Sequence, residues 1–204
     1  MGLISNGSTV FDNGSMGSGF GGSMTFIKKL TASSSATLSF VDGTDGVVLD
    51  GTYLSYVFSF INIHPANDNV NLTFNLSTDS GSNYNVVKTT TYFTTYHDEA
   101  DTSTLLDYST SFDLAQSSNF QLITNGTGNG NDECAVGTLQ IFNPSSTTYV
   151  KHYISNMQHY LSSNYSINNF SAGYGNTTSA INAVRFQMSS GNIDDGDICL
   201  YGIA

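Results

Sequence analysis

The sequence predicts an all-β protein built as a single, jelly-roll-like β-sandwich of about ten strands. Short runs in which apolar and polar residues alternate recur along the chain, and clusters of turn residues separate them. No long stretch shows the 3.6-residue apolar period of an amphipathic helix. The length of 204 residues suits one domain, because β-sandwiches commonly reach about 200 to 250 residues without dividing.

The chain begins with a segment, residues 1–23, that is dominated by Gly, Ser and Asn. It has no sustained apolar period, which predicts an extended N-terminal arm in front of a sandwich domain at 24–204. Three apolar residues within it, Val10, Phe11 and Phe20, are candidate anchors for assembly on a neighbouring protein. The alternative is a disordered tail, and the composition leaves both interpretations open.

The first half of the domain contains five strand-like runs. Residues 24–30 and 36–41 form the first two. The run 53–63 has apolar residues on both faces, which predicts a central strand packed on both sides. Residues 70–77 alternate strictly, as expected of a half-buried strand, and 86–96 is rich in the Thr and aromatic residues that favour sheets.

The second half is predicted to begin with a loop at 97–108, which is too short and too irregular for a stable helix. The polar stretch 124–133 contains two Asn-Gly pairs and is the most loop-like interior segment. Further strand-like runs lie at 120–123, 139–142, 149–160 and 165–170.

The final two runs, 181–188 and 193–204, are joined by turn residues at 189–192 and predict a closing hairpin. Such a hairpin would complete the sheet of a compact β domain. Alternation within it predicts four buried side chains, which are Val184, Phe186, Ile198 and Leu200.

Composition excludes several classes of partner. Five Lys and Arg residues stand against sixteen Asp and Glu residues, which gives a net charge of −11. Such a chain repels a phosphate backbone, so nucleic acid is not expected as a partner. No apolar run approaches the roughly 18 residues of a membrane-spanning helix, and the start lacks the basic and apolar regions of a secretion signal. We therefore expect synthesis and folding in a cytoplasm, without membrane insertion.

Candidate redox and metal-binding residues are few. Cys134 lies in a polar loop and Cys199 in the last strand, and a reducing cytoplasm favours two unpaired thiols over a disulfide. His152 and His159 share one strand, but a spacing of seven places them on opposite faces. Because no histidine has the spacing of a zinc site, we predict neither a metal nor another cofactor.

Acidic residues gather in three segments, at 97–101, 129–133 and 194–197. Loops of this kind supply some of the roughly six to eight oxygens that Ca²⁺ requires, but none has the EF-hand pattern, so solvated turns are favoured. The only two glutamates, Glu99 and Glu133, lie in separate loops and define no glycosidase acid pair. We predict no catalytic residue and no enzymatic activity.

Carbohydrate binding is the alternative role that the composition supports. Sugar sites combine aromatic platforms with amide and carboxylate groups, and both Tyr and Asn are abundant in this chain. Tyr at alternating strand positions more often packs within a sheet, so this role is the second hypothesis. The tyrosines that suggest it are Tyr149, Tyr153, Tyr160, Tyr165 and Tyr174.

Several phrases of the sequence occur together in a recognisable order. They are Thr-Ala-Ser-Ser-Ser-Ala at 31–36, Ile-Asn-Ile-His-Pro-Ala at 61–66, Tyr-His-Asp-Glu-Ala-Asp at 96–101, the segment 142–152, Ala-Gly-Tyr at 172–174, and the close from 188 to 203. Taken together they resemble a family of virion structural proteins of tailed bacteriophages that infect marine bacteria, including cyanophages. The resemblance covers roughly residues 30–203, and the arm matches less well.

The resemblance implies a non-enzymatic component of the phage particle. It implies a head-decoration or tail-fibre-like protein, located in the virion after assembly in the host cytoplasm, and leaves head and tail open. The expected partners are other copies of the chain, as a homotrimer, and further virion proteins. The alternative function is that of an adhesin that binds a host-surface glycan.

Overall fold

The computed structural model describes the backbone of residues 3–5, 8–12 and 15–16, and describes residues 23–161 and 163–204 with their side chains. Every regular element in these ranges is a β-strand. The strands are β1 (Leu3–Ser5), β2 (Ser8–Asp12), β3 (Ser15–Met16), β4 (Met24–Thr31), β5 (Leu38–Val41), β6 (Ser55–Pro65), β7 (Leu72–Ser77), β8 (Lys88–Asp98), β9 (Thr104–Tyr108), β10 (Gln121–Leu122), β11 (Ala135–Phe142), β12 (Lys151–Leu161), β13 (Tyr165–Gly175), β14 (Ala183–Met188) and β15 (Ile193–Ile203).

Eight of these strands form a jelly roll. β4 pairs with β15, β5 with β14, β6 with β11 and β7 with β10, all antiparallel. This nested pairing is what results when one long antiparallel hairpin folds over onto itself, and it produces two sheets with the orders β4-β15-β6-β11 and β5-β14-β7-β10. The predicted all-β, jelly-roll-like sandwich is therefore confirmed.

Two inserted hairpins make one sheet twice as wide as the other. β8 and β9 follow β7 in the chain, and β12 and β13 follow β11. Both hairpins extend the same sheet, which becomes eight-stranded with the order β4-β15-β6-β11-β12-β13-β8-β9. The four-stranded sheet covers part of its inner side, and the chain after β9 covers more, where Phe112 packs on Tyr92 with ring centroids 5.5 Å apart.

The core lies between the two sheets and is centred on Phe186. This ring contacts Phe40, Phe58 and Phe60 edge to face at centroid distances of 6.3, 5.2 and 5.1 Å, a geometry that aromatic pairs prefer. The four side chains that alternation predicted to be buried in the last two strands are all fully buried, which confirms that prediction.

The predicted closing hairpin is wrong. β14 lies between β7 and β5 in the four-stranded sheet, whereas β15 lies between β4 and β6 in the eight-stranded sheet. Residues 189–192 cross from one sheet to the other. The predicted turn at 194–197 is part of β15, where a bulge with Gly196 at φ 112° lies opposite Asn62 at φ 51°. A Cβ on Gly196 would lie 2.5 Å from the Asn62 carbonyl oxygen, so this double bulge requires glycine.

Two further predictions are corrected by the structure. β6 is central, but only one of its faces is packed, and Ile61 on the other face is 44% exposed. The predicted loop at 97–108 contains the edge strand β9, which pairs with β8. The predicted loop at 124–133 is confirmed, and it is partly buried, because Thr127 bridges Val70 on one side and Leu161 on the other.

The N-terminal segment forms a small antiparallel sheet of its own with the order β1-β2-β3. Val10 and Phe11 lie in β2, where the structure describes the backbone alone. Phe20 lies outside the described residues. The role of these three residues as anchors stays a prediction.

Candidate functional site

The side of the eight-stranded sheet that points away from the four-stranded sheet is exposed, and we call it the outer face. Across the sheet it extends from β4 to β9, and along the strands it ends at the bulge near Asn62. Of the ten exposed large apolar side chains among the described residues, seven lie on it. These are Met24, Phe26, Ile61, Phe93, Leu106, Tyr108 and Ile154.

The outer face is nearly free of charge, although the chain as a whole carries −11. Among the described residues, Lys29 and Asp197 bring charged side chains to it and bond to each other at 3.0 Å, while Glu99 and Asp101 reach one end of it through bonds to Tyr160 and His97. The remaining positions are apolar or neutral polar, for example the Asn168 amide that donates to Asn156 Oδ1 at 2.9 Å. Phe93 and Phe170 stack at 4.9 Å with their planes 15° apart.

The dimensions of the outer face match those of a protein interface. Seven strand spacings of about 4.8 Å and about eight residues of about 3.4 Å along each strand give roughly 900 Å². Stable complexes bury about 800 Å² on each partner.

The acidic segments gather at one end of the same sheet. Residues 97–101 span the end of β8, 129–133 precede β11, and 194–197 lie in β15. Strand pairing brings these three segments to the same end of the sheet. The last two segments share a cleft with His64, whose Nε2 lies 3.2 Å from the Gly130 carbonyl oxygen. In the described residues no group of three His, Cys, Asp or Glu side chains is arranged to hold a metal ion.

A second cleft, which we call the tyrosine cleft, opens on the inner side of β8, β9 and β13. It has a volume of about 480 Å³ and lies where the covering chain after β9 stops. The rings of Tyr96 and Tyr165 stand perpendicular at a centroid distance of 5.3 Å. The lining residues are Thr94, Tyr96, Leu105, Asp107, Ser109, Phe112, Asn125, Leu161, Ser163, Tyr165 and Ile167.

A buried polar network supports the tyrosine cleft from below. His159 Nε2 lies 3.0 Å from Asn169 Oδ1, and the Asn169 amide donates to Thr94 Oγ1 at 3.0 Å. The backbone N of Asn125 lies 3.3 Å from the same Nε2, and this one neutral ring nitrogen either donates to Asn169 or accepts from Asn125. Burial lowers the pKa of His159 to about 4, although the Asn169 contact opposes this shift. The network is therefore neutral at physiological pH, and its hydrogen bonds hold the floor of the cleft.

The sequence-predicted candidates are distributed over different parts of the molecule. His152 is exposed on the outer face and His159 is buried, which confirms that they lie on opposite faces. Cys134 and Cys199 are both free thiols, as the sequence favoured. Of the five tyrosines considered, Tyr165 lines the tyrosine cleft, and Tyr153 is a core residue whose hydroxyl lies 2.8 Å from Ser171 Oγ.

Sequence reasoning did not identify the other residues of the tyrosine cleft. Tyr96, Asp107 and Asn125 come from three separate segments, and only strand pairing brings them together. The Asn125-Gly126 pair was a signal for a turn, and Gly126 does adopt φ 81°. Nothing in the pair indicates that the turn lies beside β12 and β13.

The fold and its surfaces define the class as an all-β jelly-roll protein with a broad sheet face that carries few charges. In the part of the chain that the structure describes, no helix has the length and apolar character needed to cross a bilayer. Comparisons with protein-family models, with curated proteins and with solved structures find no match for this chain.

Proposed function

We propose that this chain is a non-enzymatic structural protein of a bacteriophage particle, a head decoration or tail appendage that assembles with copies of itself. The outer face is the observation that carries the self-assembly. The sequence resemblance described above supports a role in a phage particle. The jelly roll suits that role because its eight-stranded sheet presents one broad face. The proposed location is the virion, reached by assembly in the host cytoplasm.

A second copy of the chain is the partner that the outer face fits best. Two copies with a charge of −11 each repel one another, so they associate most readily through a surface that bears no net charge. The outer face comes closest to such a surface, because Lys29 and Asp197 neutralise each other at 3.0 Å and its other acidic groups lie at one end. Its aromatic residues and amides are the residue types that homo-oligomer interfaces bury. A homotrimer is the proposed assembly.

The test is the oligomeric state of an outer-face variant. Ile154 projects from the middle of the outer face and is 56% exposed. Ile154→Asp would place an unpaired carboxylate in the interface, and such a buried charge costs several kcal/mol. We expect the wild type to sediment as an oligomer in analytical ultracentrifugation and the variant to sediment as a monomer at the same concentration.

Leu54→Asp is the matched control, because Leu54 is 71% exposed but precedes β6 and lies outside the outer face. It should retain the wild-type oligomer, and both variants should melt at nearly the wild-type temperature. A wild-type monomer at high concentration, or an Ile154→Asp oligomer of wild-type stability, would contradict self-assembly through this face.

A specific observation, the tyrosine cleft, favours the second function expected from the sequence, that of a carbohydrate-binding adhesin. The cleft lies on the inner side of the eight-stranded sheet, so that association through the outer face leaves it open. The two functions are therefore compatible in one molecule.

A further inference from the structure

The geometry of the tyrosine cleft points to a binding site for a neutral saccharide. This inference goes beyond the proposed assembly role and does not depend on it, because the cleft and the outer face lie on opposite sides of the sheet. The volume of about 480 Å³ falls within the range of roughly 300 to 1,000 Å³ that small-molecule sites occupy.

The lining alternates between apolar and polar groups in the way that a sugar ring requires. A pyranose has faces of C–H groups and a rim of hydroxyls. Tyr96 and Tyr165 form two perpendicular aromatic walls for the C–H faces. Asn125 and Asp107, which also line the cleft, supply an amide and a carboxylate for the hydroxyls.

The polar groups of the cleft are available for a ligand. The side-chain amide of Asn125 forms no hydrogen bond to a described residue, and its backbone N lies 3.3 Å from His159 Nε2. The next residue is fixed as well, because Gly126 N–H donates to Asn71 Oδ1 at 2.8 Å. The backbone around Asn125 is thus fixed before a ligand arrives, which lowers the entropic cost of binding.

The charge of the cleft selects neutral sugars. Its lining contains the carboxylate of Asp107 and no Lys, Arg or His side chain. A uronic acid, a sialic acid or a phosphate would therefore bring a negative charge next to Asp107 without a cation to offset it. A neutral hexose or N-acetylhexosamine meets no such penalty.

Saturation-transfer NMR on the full chain tests the site. The probes are glucose, galactose, mannose and N-acetylglucosamine, with glucuronic acid as the acidic comparison. We expect saturation transfer to at least one neutral sugar and less to glucuronic acid. Absence of transfer to all four neutral sugars, or stronger transfer to glucuronic acid, would overturn the proposal.

Titration of the strongest neutral probe then locates the site. Asn125→Ala should weaken binding about two- to ten-fold, the equivalent of one hydrogen bond, and should leave the melting temperature unchanged. Asn119→Ala, which removes an exposed amide outside the cleft, should bind as the wild type does. Tyr165→Phe should retain binding and Tyr165→Ala should lose it.

Wild-type affinity in both Asn125→Ala and Tyr165→Ala would show that the sugar binds elsewhere and would overturn the assignment. Ile154→Asp distinguishes this proposal from self-assembly, since a monomeric variant should still bind the sugar. Loss of binding in that variant, with its fold intact, would contradict the independence of the two surfaces.

Discussion

Lys88 is a lysine in unfavourable surroundings. Its side chain is fully buried at the start of β8, where Nζ donates to Asn75 Oδ1 at 2.5 Å and to the Val86 carbonyl at 2.9 Å. Both acceptors are neutral, so no opposite charge compensates the loss of hydration. Burial accordingly lowers the pKa of Lys88 to about 7.

Lys88→Met should therefore stabilise the protein, and the gain should depend on pH. Below pH 7 both folded and unfolded Lys88 are protonated, and the folded state bears the full cost of a buried charge. Between pH 7 and 10 the unfolded state still binds the proton that the folded state has released, so the wild type gains stability as pH rises. We expect the variant to melt about 5 °C above the wild type at pH 6 and much closer to it at pH 9.

Differential scanning calorimetry at the two pH values measures this difference. Asn75 Oδ1 keeps a partner in the variant, because it also accepts from Leu76 N–H at 2.8 Å. Lys28→Met, at a partly exposed lysine whose Nζ donates to the Asp45 carbonyl at 3.0 Å, is the control and should change the melting temperature little. A Lys88→Met gain that is equal at both pH values would show that buried Lys88 stays protonated up to pH 9 and would contradict its lowered pKa.

At the scale of elements, alternation in the sequence predicted strands and their buried sides well, but not their partners. Val184, Phe186, Ile198 and Leu200 point to the core as predicted, yet their strands belong to different sheets. Period-two patterning says which side of a strand is apolar and contains no information about the neighbouring strand. The bulge at Asn62 also reverses the alternation, so Ile63 is buried although it lies two residues after the exposed Ile61.

The anchoring role of the N-terminal arm can be tested by deletion. Its strands β1 to β3 pair with one another, and the jelly roll begins with β4. Deleting residues 1–22 should leave the melting temperature and the oligomer unchanged, because it removes no strand from either sandwich sheet. We expect the deleted protein to be lost from phage particles, as measured by quantitative mass spectrometry of purified virions.

A triple variant of the full chain, Val10→Ser, Phe11→Ser and Phe20→Ser, tests whether the three predicted anchors account for this effect. It should be lost from particles to the same degree. Undiminished occupancy of the deleted protein would contradict the anchoring role of the arm, and a misfolded deletion would contradict the independence of the jelly roll.

The whole molecule combines a net charge of −11 with an outer face that carries few charges. Sixteen acidic residues lie largely in loops and at one end of the wide sheet, away from the middle of the outer face. Composition showed the excess of acidic residues but not where they gather, because that depends on which strand ends meet in the folded sheet. The tyrosine cleft escaped prediction for the same reason, since Tyr96 and Asn125 become neighbours only in the folded sheet.

Self-association should therefore strengthen as salt is added. Between about 0.01 M and 1 M salt the Debye length falls from about 30 Å to about 3 Å, which screens the repulsion between two copies. The proposed interface has the exposed pair of Lys29 and Asp197 to lose, and such pairs contribute little. Sedimentation equilibrium across this range should show a falling dissociation constant. A dissociation constant that rises with salt would indicate an interface built on ion pairs.

The separation of β14 and β15 into two sheets has a consequence for folding during synthesis. Each of these last two strands lies between two earlier ones, β14 between β7 and β5 and β15 between β4 and β6. Until residues 183–203 have left the ribosome, both sheets are split and their inner apolar sides have no complete partner. Such non-local pairing makes folding slow and leaves the nascent chain open to aggregation. We expect the growing chain to need chaperone protection until its last two strands are available.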